Sequence, residues 1–208
     1  MFSVPRSTGP STTSYALLGL LALRPWTTYE LTKQVQRSLG WFWPRTERKL
    51  YDEPKKLVEA GWATGTEQRT GKRPRTVYAI TGAGRKALRA WLSEPATPPS
   101  VEFEAMVKVF FADAGTVEQL RATLEQVESD ARARLGVLEG MIEESRSGPY
   151  DFAARLPVNA LALRWGLDQQ RVLVEWASWA QEQIAEWRST TDPAGWDWYT
   201  ALLPGDGR

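Results

Sequence analysis

Apolar positions first run together along this chain, then recur in different periods, and the changes mark its organisation. Tyr15 to Leu23 is almost wholly apolar, the pattern of a buried helix, with Ser and Thr at 11–14 available as its cap. It is far shorter than the roughly 20 residues that a membrane span needs. Thr27-Thr28-Tyr29-Glu30 has the form of a capping box, in which a hydroxyl and a carboxylate satisfy two orphan N–H groups reciprocally. A helix of about 11 residues should begin there and run towards Leu39-Gly40, where Gly40 supplies a left-handed turn. After Trp41-Phe42-Trp43-Pro44, Thr46 is placed to cap a third helix that carries Leu50, Leu57 and Val58 inward and stops at Gly61. Pro54 lacks an N–H, so that helix should kink or lose part of its regular length. Two short strand-like runs follow, the second being Thr76-Val77-Tyr78-Ala79-Ile80-Thr81, separated by a tip from Arg69 to Arg75. Thr81 then caps a fourth helix, Ala83 to Leu92, with Leu88, Trp91 and Leu92 on one side.

The remainder reads as helix. Glu94 to Ser100 holds three prolines and breaks any helix. Glu102 to Ala112 is a short apolar-rich helix, and Thr116-Val117-Glu118-Gln119 is a further capping box. From there Val117, Leu120, Leu124, Val127, Ala131, Leu135, Leu138 and Ile142 recur at steps of three or four, a narrow seam for a partner helix. Gly148-Pro149 stops this helix, and a third, from about 157 to 188, places Trp165, Val172, Trp176, Trp179 and Trp187 on one broad face.

The pattern predicts a mainly α chain. A winged helix-turn-helix domain with a two-stranded wing precedes an all-α antiparallel helical domain. The expected limits are a flexible arm over 1–12, the winged helix over 13–94, a Pro-rich linker over 95–100 and the helical domain over 101–208.

Composition adds exclusions. Among the 208 residues there is no cysteine and no histidine. That removes disulfides, thiol chemistry, His-based acid–base catalysis and zinc sites of the usual ligand set. The chain shows no Walker loop and no nucleophile elbow. Gly82-Ala83-Gly84 serves as a helix entry rather than a dinucleotide loop, and Glu102 and Glu104 read as the polar edge of a core helix. No enzyme activity, cofactor or metal is expected. The N-terminus has no apolar core of the kind a signal peptide carries, so a cytoplasmic protein is expected.

The net charge of +1 conceals an asymmetry. Residues 1–95 hold 16 Lys and Arg against 7 Asp and Glu; residues 96–208 hold 10 against 18. The basic half is the candidate for double-stranded DNA. Its third helix offers Arg45, Thr46, Arg48, Lys49, Tyr51 and Lys55, residue types that pair with base edges or phosphates. Its tip offers Arg69, Thr70, Lys72, Arg73 and Arg75 with no acid within the seven residues from 69 to 75, suited to the phosphate backbone. A solvated charged face is the plain alternative for either run. A helix placed directly before a cationic hairpin is what favours DNA.

Eleven tryptophans are an excess that core packing explains first. The seam residues Val117, Leu120, Leu124, Val127, Leu135 and Leu138, with Trp176 and Trp179, are the candidates for a homodimer interface. Trp165, Trp176 and Trp187 are candidates for stacking on a planar apolar small molecule.

Several of these motifs together resemble a known family. Tyr15-Ala16-Leu17-Leu18-Gly19-Leu20-Leu21, Tyr29-Glu30-Leu31, Leu50-Tyr51 with Leu57-Val58-Glu59-Ala60-Gly61-Trp62, Tyr78-Ala79-Ile80-Thr81 and Gly84-Arg85-Lys86-Ala87-Leu88 look like the winged-helix domain of PadR-like transcriptional regulators. Val101 to Glu104 and Val107 to Ala112, followed by two long helices, look like the larger C-terminal domain of the virulence-regulator branch. Asp52-Glu53-Pro54 departs from the helix that many relatives carry. The resemblance implies a repressor that binds a pseudo-palindromic operator as a homodimer and often answers to a small-molecule effector. The rival is a winged helix used for protein contact without specific DNA binding.

Overall fold

The computed structural model describes residues 10–70, 73–147 and 152–202. The chain divides into two compact units, residues 1–98 and 99–208.

Unit 1 begins with α1 (Thr12–Leu21), whose N-cap Ser11 forms a capping box with Ser14. Leu17, Leu18 and Leu21 are fully buried and make α1 the centre of the unit. A two-residue strand, β1 (Trp26–Thr27), leads into α2 (Thr28–Ser38), and Thr27 and Glu30 form the expected capping box. Then come α3 (Glu47–Glu59), β2 (Ala63–Thr70), β3 (Arg73–Ile80) and α4 (Gly82–Leu92). The sheet is antiparallel in the order β1-β3-β2, with Trp26 opposite Tyr78 and Thr70 opposite Arg73. β1 is too short for any period to show. It forms because the Trp26 side chain is buried and its indole N–H donates to the Leu20 carbonyl at 2.8 Å, which lays the chain beside β3. Tyr15 stacks on Trp91 at 4.8 Å between centroids, so α4 closes over α1.

Several expectations for this unit are corrected. Thr46 occupies the N-cap of α3 but makes no side-chain cap hydrogen bond. Helix α3 runs unbroken through Pro54, because the ring is buried in the core and packing outweighs the missing donor. Val58 lies on the exposed side, since α3 turns Leu50, Glu53, Pro54 and Leu57 inward. Leu92, the last residue of α4, is 68% exposed. Gly61 has the left-handed φ of +71° that ends α3, but Gly40 does not take that conformation. A Cβ on Gly40 would lie 2.7 Å from the Gln36 carbonyl oxygen, so close approach is what favours glycine there.

Unit 2 contains α5 (Glu104–Phe110), α6 (Val117–Ser147), α7 (Leu156–Gln183) and a short α8 (Trp198–Leu202). The Thr116–Gln119 capping box forms at the start of α6, with bonds of 3.0 and 3.2 Å. Gly148-Pro149 lies outside the described residues. The α6 seam is real but its partner is α7 of the same chain. Val117, Leu120, Leu124, Val127, Ala131 and Leu138 are buried, Leu135 is half-buried and Ile142 is exposed. On α7 the matching stripe is Gly166, Leu167, Gln170, Ala177 and Ala180, continued by Ile184. Small residues let the helices close up, and a Cβ on Gly166 would touch Leu138 at 3.5 Å.

The broad tryptophan face of α7 is therefore a misreading. Trp165 is 46% exposed and Val172 is also exposed. Trp176, Trp179 and Trp187 flank the cluster of Leu120, Leu124, Ala180 and Ile184 rather than forming its centre. Large aromatic side chains dominate a sequence plot, but glycine and alanine form the contact line. Across the pair, Glu128 accepts from Ser178 (3.0 Å) and Gln181 (2.6 Å) of α7 and from Arg132 one turn on. Those hydrogen bonds, led by Arg132, hold its carboxyl below the usual range.

Two stability tests follow from these contacts. A Cβ on Gly84 would meet the Trp62 carbonyl oxygen at 2.1 Å, whereas one on Gly82 meets nothing within 4 Å. In calorimetry, Gly84→Ala should destabilise unit 1 by about 1–3 kcal/mol. Gly82→Ala should stabilise it by roughly 0.4–1 kcal/mol by restricting the unfolded chain. Because the Glu128 carboxyl titrates lower in the folded protein, its contribution is present above its unfolded value of about 4.5 and is lost as pH falls through the folded value. Acid titrations followed by circular dichroism should therefore show Glu128→Gln losing less stability than the parent protein below pH 4.5.

Candidate nucleic-acid interface

Helix α3 has two sides of different chemistry. Its buried residues recur at 50, 53, 54 and 57, a single stripe at helical spacing. Arg48, Lys49, Asp52 and Lys55 are all exposed, and Arg48, Asp52 and Lys55 lie at helical spacing opposite that stripe. Arg48, Lys49 and Lys55 make no ion pair among the described residues, so their charge is available to a ligand. Tyr51 is exposed on one flank. The N-terminal approach to α3 is ordered by Arg45, whose guanidinium lies 3.7 Å from the Trp43 ring centroid and donates to the Pro44 carbonyl at 2.7 Å. Gln36 of α2 reaches Glu47 at 3.1 Å and ties the start of α3 to the preceding helix. Thr46 is exposed beside them.

The buried side holds one charged group that sequence reasoning treated only as a departure. Glu53 is buried at 5% exposure. One carboxylate oxygen accepts from the Ser14 hydroxyl and from the Ser11 hydroxyl at 3.2 Å; the other pairs with Lys56 at 3.0 Å. Burial, the largest influence, raises its pKa. The hydrogen bonds from Ser14, Lys56 and Ser11, with the Lys56 charge, outweigh burial and leave it below the ordinary value. Lys56, adjacent to the predicted site residues, is exposed but is tied by its ammonium group to this carboxylate. Nothing in composition or spacing marks Glu53 as buried, because the serines that hold it lie 39 and 42 positions away.

The hairpin differs in shape from the expected loop. Strands β2 and β3 continue to Thr70 and Arg73, so Arg69, Thr70, Arg73 and Arg75 belong to strands rather than to an open tip. The connection is Gly71-Lys72. Lys72 lies outside the described residues, as do the side chains of Arg69, Thr70 and Arg73. Arg75 is exposed on β3 opposite Gln68.

The three effector candidates do not converge in one chain. Trp165 and Trp176 are 11 positions apart on α7, about 16 Å along the axis. Trp176 meets Phe103 edge-on at 6.3 Å, and Trp187 packs against Trp196 at 5.2 Å. No cluster of metal-ligating side chains occurs among the described residues, and no helix there is long and apolar enough to cross a membrane.

Three helices, the last of them exposed and basic on one side, followed by a two-stranded hairpin make a winged helix, and comparison with known proteins agrees. Residues 17–90 match the transcriptional regulator PadR-like family, and residues 103–185 match the virulence activator alpha C-terminal family. The negative transcriptional regulator PadR of Bacillus subtilis is 27% identical over 166 residues, 78% of this chain and 91% of its own. The crystal structure of that PadR in complex with operator DNA is similar with a TM-score of 0.69 at 25% identity, covering 81% of this chain and 96% of the other. Its structure in complex with p-coumaric acid gives 0.68 at 26% identity, covering 85% and 100%. With the fold, the matched residues and the relatives in accord, this chain belongs to the PadR-like family of DNA-binding transcriptional regulators.

Proposed function

We propose that this protein is a repressor that binds a pseudo-palindromic operator as a homodimer and lets go when a small molecule occupies its C-terminal unit. Residues 13–94 would bind DNA, 95–100 would link, 101–208 would dimerise, and the protein would work in the cytoplasm. The observation that carries the DNA assignment is the set of exposed cations Arg48, Lys49 and Lys55 on α3, which make no ion pair among the described residues, joined in sequence to a hairpin bearing Arg75. In this reading α3 enters the major groove, Arg48 and Lys49 meet base edges, and Arg69, Lys72, Arg73 and Arg75 hold phosphates. The repressor role and the effector are supported by the Bacillus relative, a negative regulator with structures bound to operator DNA and to p-coumaric acid. A planar apolar ligand would suit the aromatic side chains of α7.

The dimer surface in this reading is not the α6 seam, which α7 already covers. Val158, Leu161 and Val172 recur at helical spacing on another side of α7 and are exposed, Leu161 by 74%. An apolar stripe of that kind marks an interaction surface.

Affinity for a specific duplex should fall steeply with salt, with a log–log slope on the order of −5 or steeper for two protomers. A flat dependence would instead favour the protein-contact reading. On specific and scrambled duplexes, Arg48→Ala or Lys49→Ala should cost about 1–3 kcal/mol on the specific one alone. Lys72→Ala or Arg75→Ala should weaken both alike. In light scattering, Leu161→Asp should convert the dimer to a folded monomer, while Leu124→Asp should unfold unit 2. A parent protein that is monomeric at micromolar concentration would refute the dimer.

A further inference from the structure

The buried carboxylate of Glu53 has an arrangement that packing alone does not require. The hydroxyls of Ser11 and Ser14 each accept a backbone N–H of the other's residue, at 2.9 and 3.3 Å, which closes the capping box of α1. Each hydroxyl therefore has its own proton left to give, and both protons go to one oxygen of Glu53. The orphan N–H groups at the start of α1 are linked through two serines to a negative charge in the middle of α3. That is the sign of charge a helix N-terminus favours. The second oxygen of Glu53 takes Lys56, so both carboxylate oxygens have partners.

The rest of the buried side of α3 is Leu50, Pro54 and Leu57. Apolar contact is non-directional and resists rolling of a helix about its axis only weakly. Pro54 also withholds the backbone N–H that would bond back to the Leu50 carbonyl, so the helix has one tie fewer beside Glu53. A side-chain tip about 5 Å from the helix axis moves by about 1–2 Å when the helix rolls through 10–20°, more than base readout tolerates. Directional hydrogen bonds to a fixed helix end stop such a roll.

We propose that Glu53 is a positioning residue for DNA recognition: held by the capping hydroxyls of Ser11 and Ser14, it fixes the roll of α3 that presents Arg48 and Lys49 to the groove. The proposal rests on the DNA-binding reading above. It assigns sequence discrimination, rather than affinity in general, to a residue that touches no DNA.

The test uses the full-length protein, a duplex enriched from a random pool by the parent protein, and a scrambled duplex of the same composition. The quantity read is the ratio of the two affinities, because a misfolded fraction lowers both alike and leaves the ratio unchanged. Glu53→Gln keeps the shape but turns a donor towards either Lys56 or the serines. Ser14→Ala cuts the same link from α1 and is the milder change. Each should reduce the ratio by about tenfold, with affinity for the scrambled duplex changed less than about twofold. The double variant should be no worse than Glu53→Gln alone, since both changes remove one interaction. Unchanged ratios, or losses that add in the double variant, would overturn the proposal while leaving DNA binding intact. Failure of the parent protein to enrich any sequence would overturn the DNA reading and the proposal with it.

Discussion

Contact between α1 and the inner side of α3 governs what unit 1 can do. Leu17, Leu18 and Leu21 of α1 are out of reach of water, as are Leu50 and Leu57 of α3. Once that stripe is buried, the opposite side of α3 must face outward, and the cations Arg48 and Lys55 are carried there by helical geometry alone. The basic face is thus a consequence of where the leucines are. Sheet and wing depend on the same contact, because Trp26 hangs β1 from the Leu20 carbonyl at the end of α1, and β3 pairs with β1.

Polar links set the details that apolar burial leaves loose. In unit 1, Glu53 joins two helix segments distant in sequence; in unit 2, Glu128 does the same for α6 and α7. Each carboxylate takes hydroxyl or amide donors from another helix and a cation from its own. The parallel is physical: leucine and alanine seams permit several registers, whereas a matched set of donors permits one.

Much of this was legible in the residues. The three capping boxes, or caps, at Thr27, Thr81 and Thr116 were readable because a cap is a local bargain between residues three apart. The period of the α6 seam was readable for the same reason. What covers that seam was not, because cover depends on a second helix some 50 positions away and the residues that supply it, Gly166, Ala177 and Ala180, are individually unremarkable. Tryptophan dominates the pattern by size, but Trp176, Trp179 and Trp187 flank the contact line instead of forming it. β1 escaped because two residues have no period. The candidate site was half legible: the outward residues of α3 follow from counting, but Glu53 becomes intelligible only when Ser11 and Ser14 are brought beside it.

The antiparallel pairing of α6 with α7 has a consequence for how the chain is made. Leu120 and Leu124, in the first turns of α6, are covered by Ala180 and Ile184, at the far end of α7. The residues that need shelter soonest receive it last. A chain emerging from its N-terminus carries a bare leucine stripe for the time it takes to add some 60 residues, a few seconds at ordinary synthesis rates. A chain truncated before Ala180 never covers it. Loss of the last few turns of α7 would therefore expose the other end of the hairpin, and damage near the C-terminus would be felt as stickiness at the start of α6.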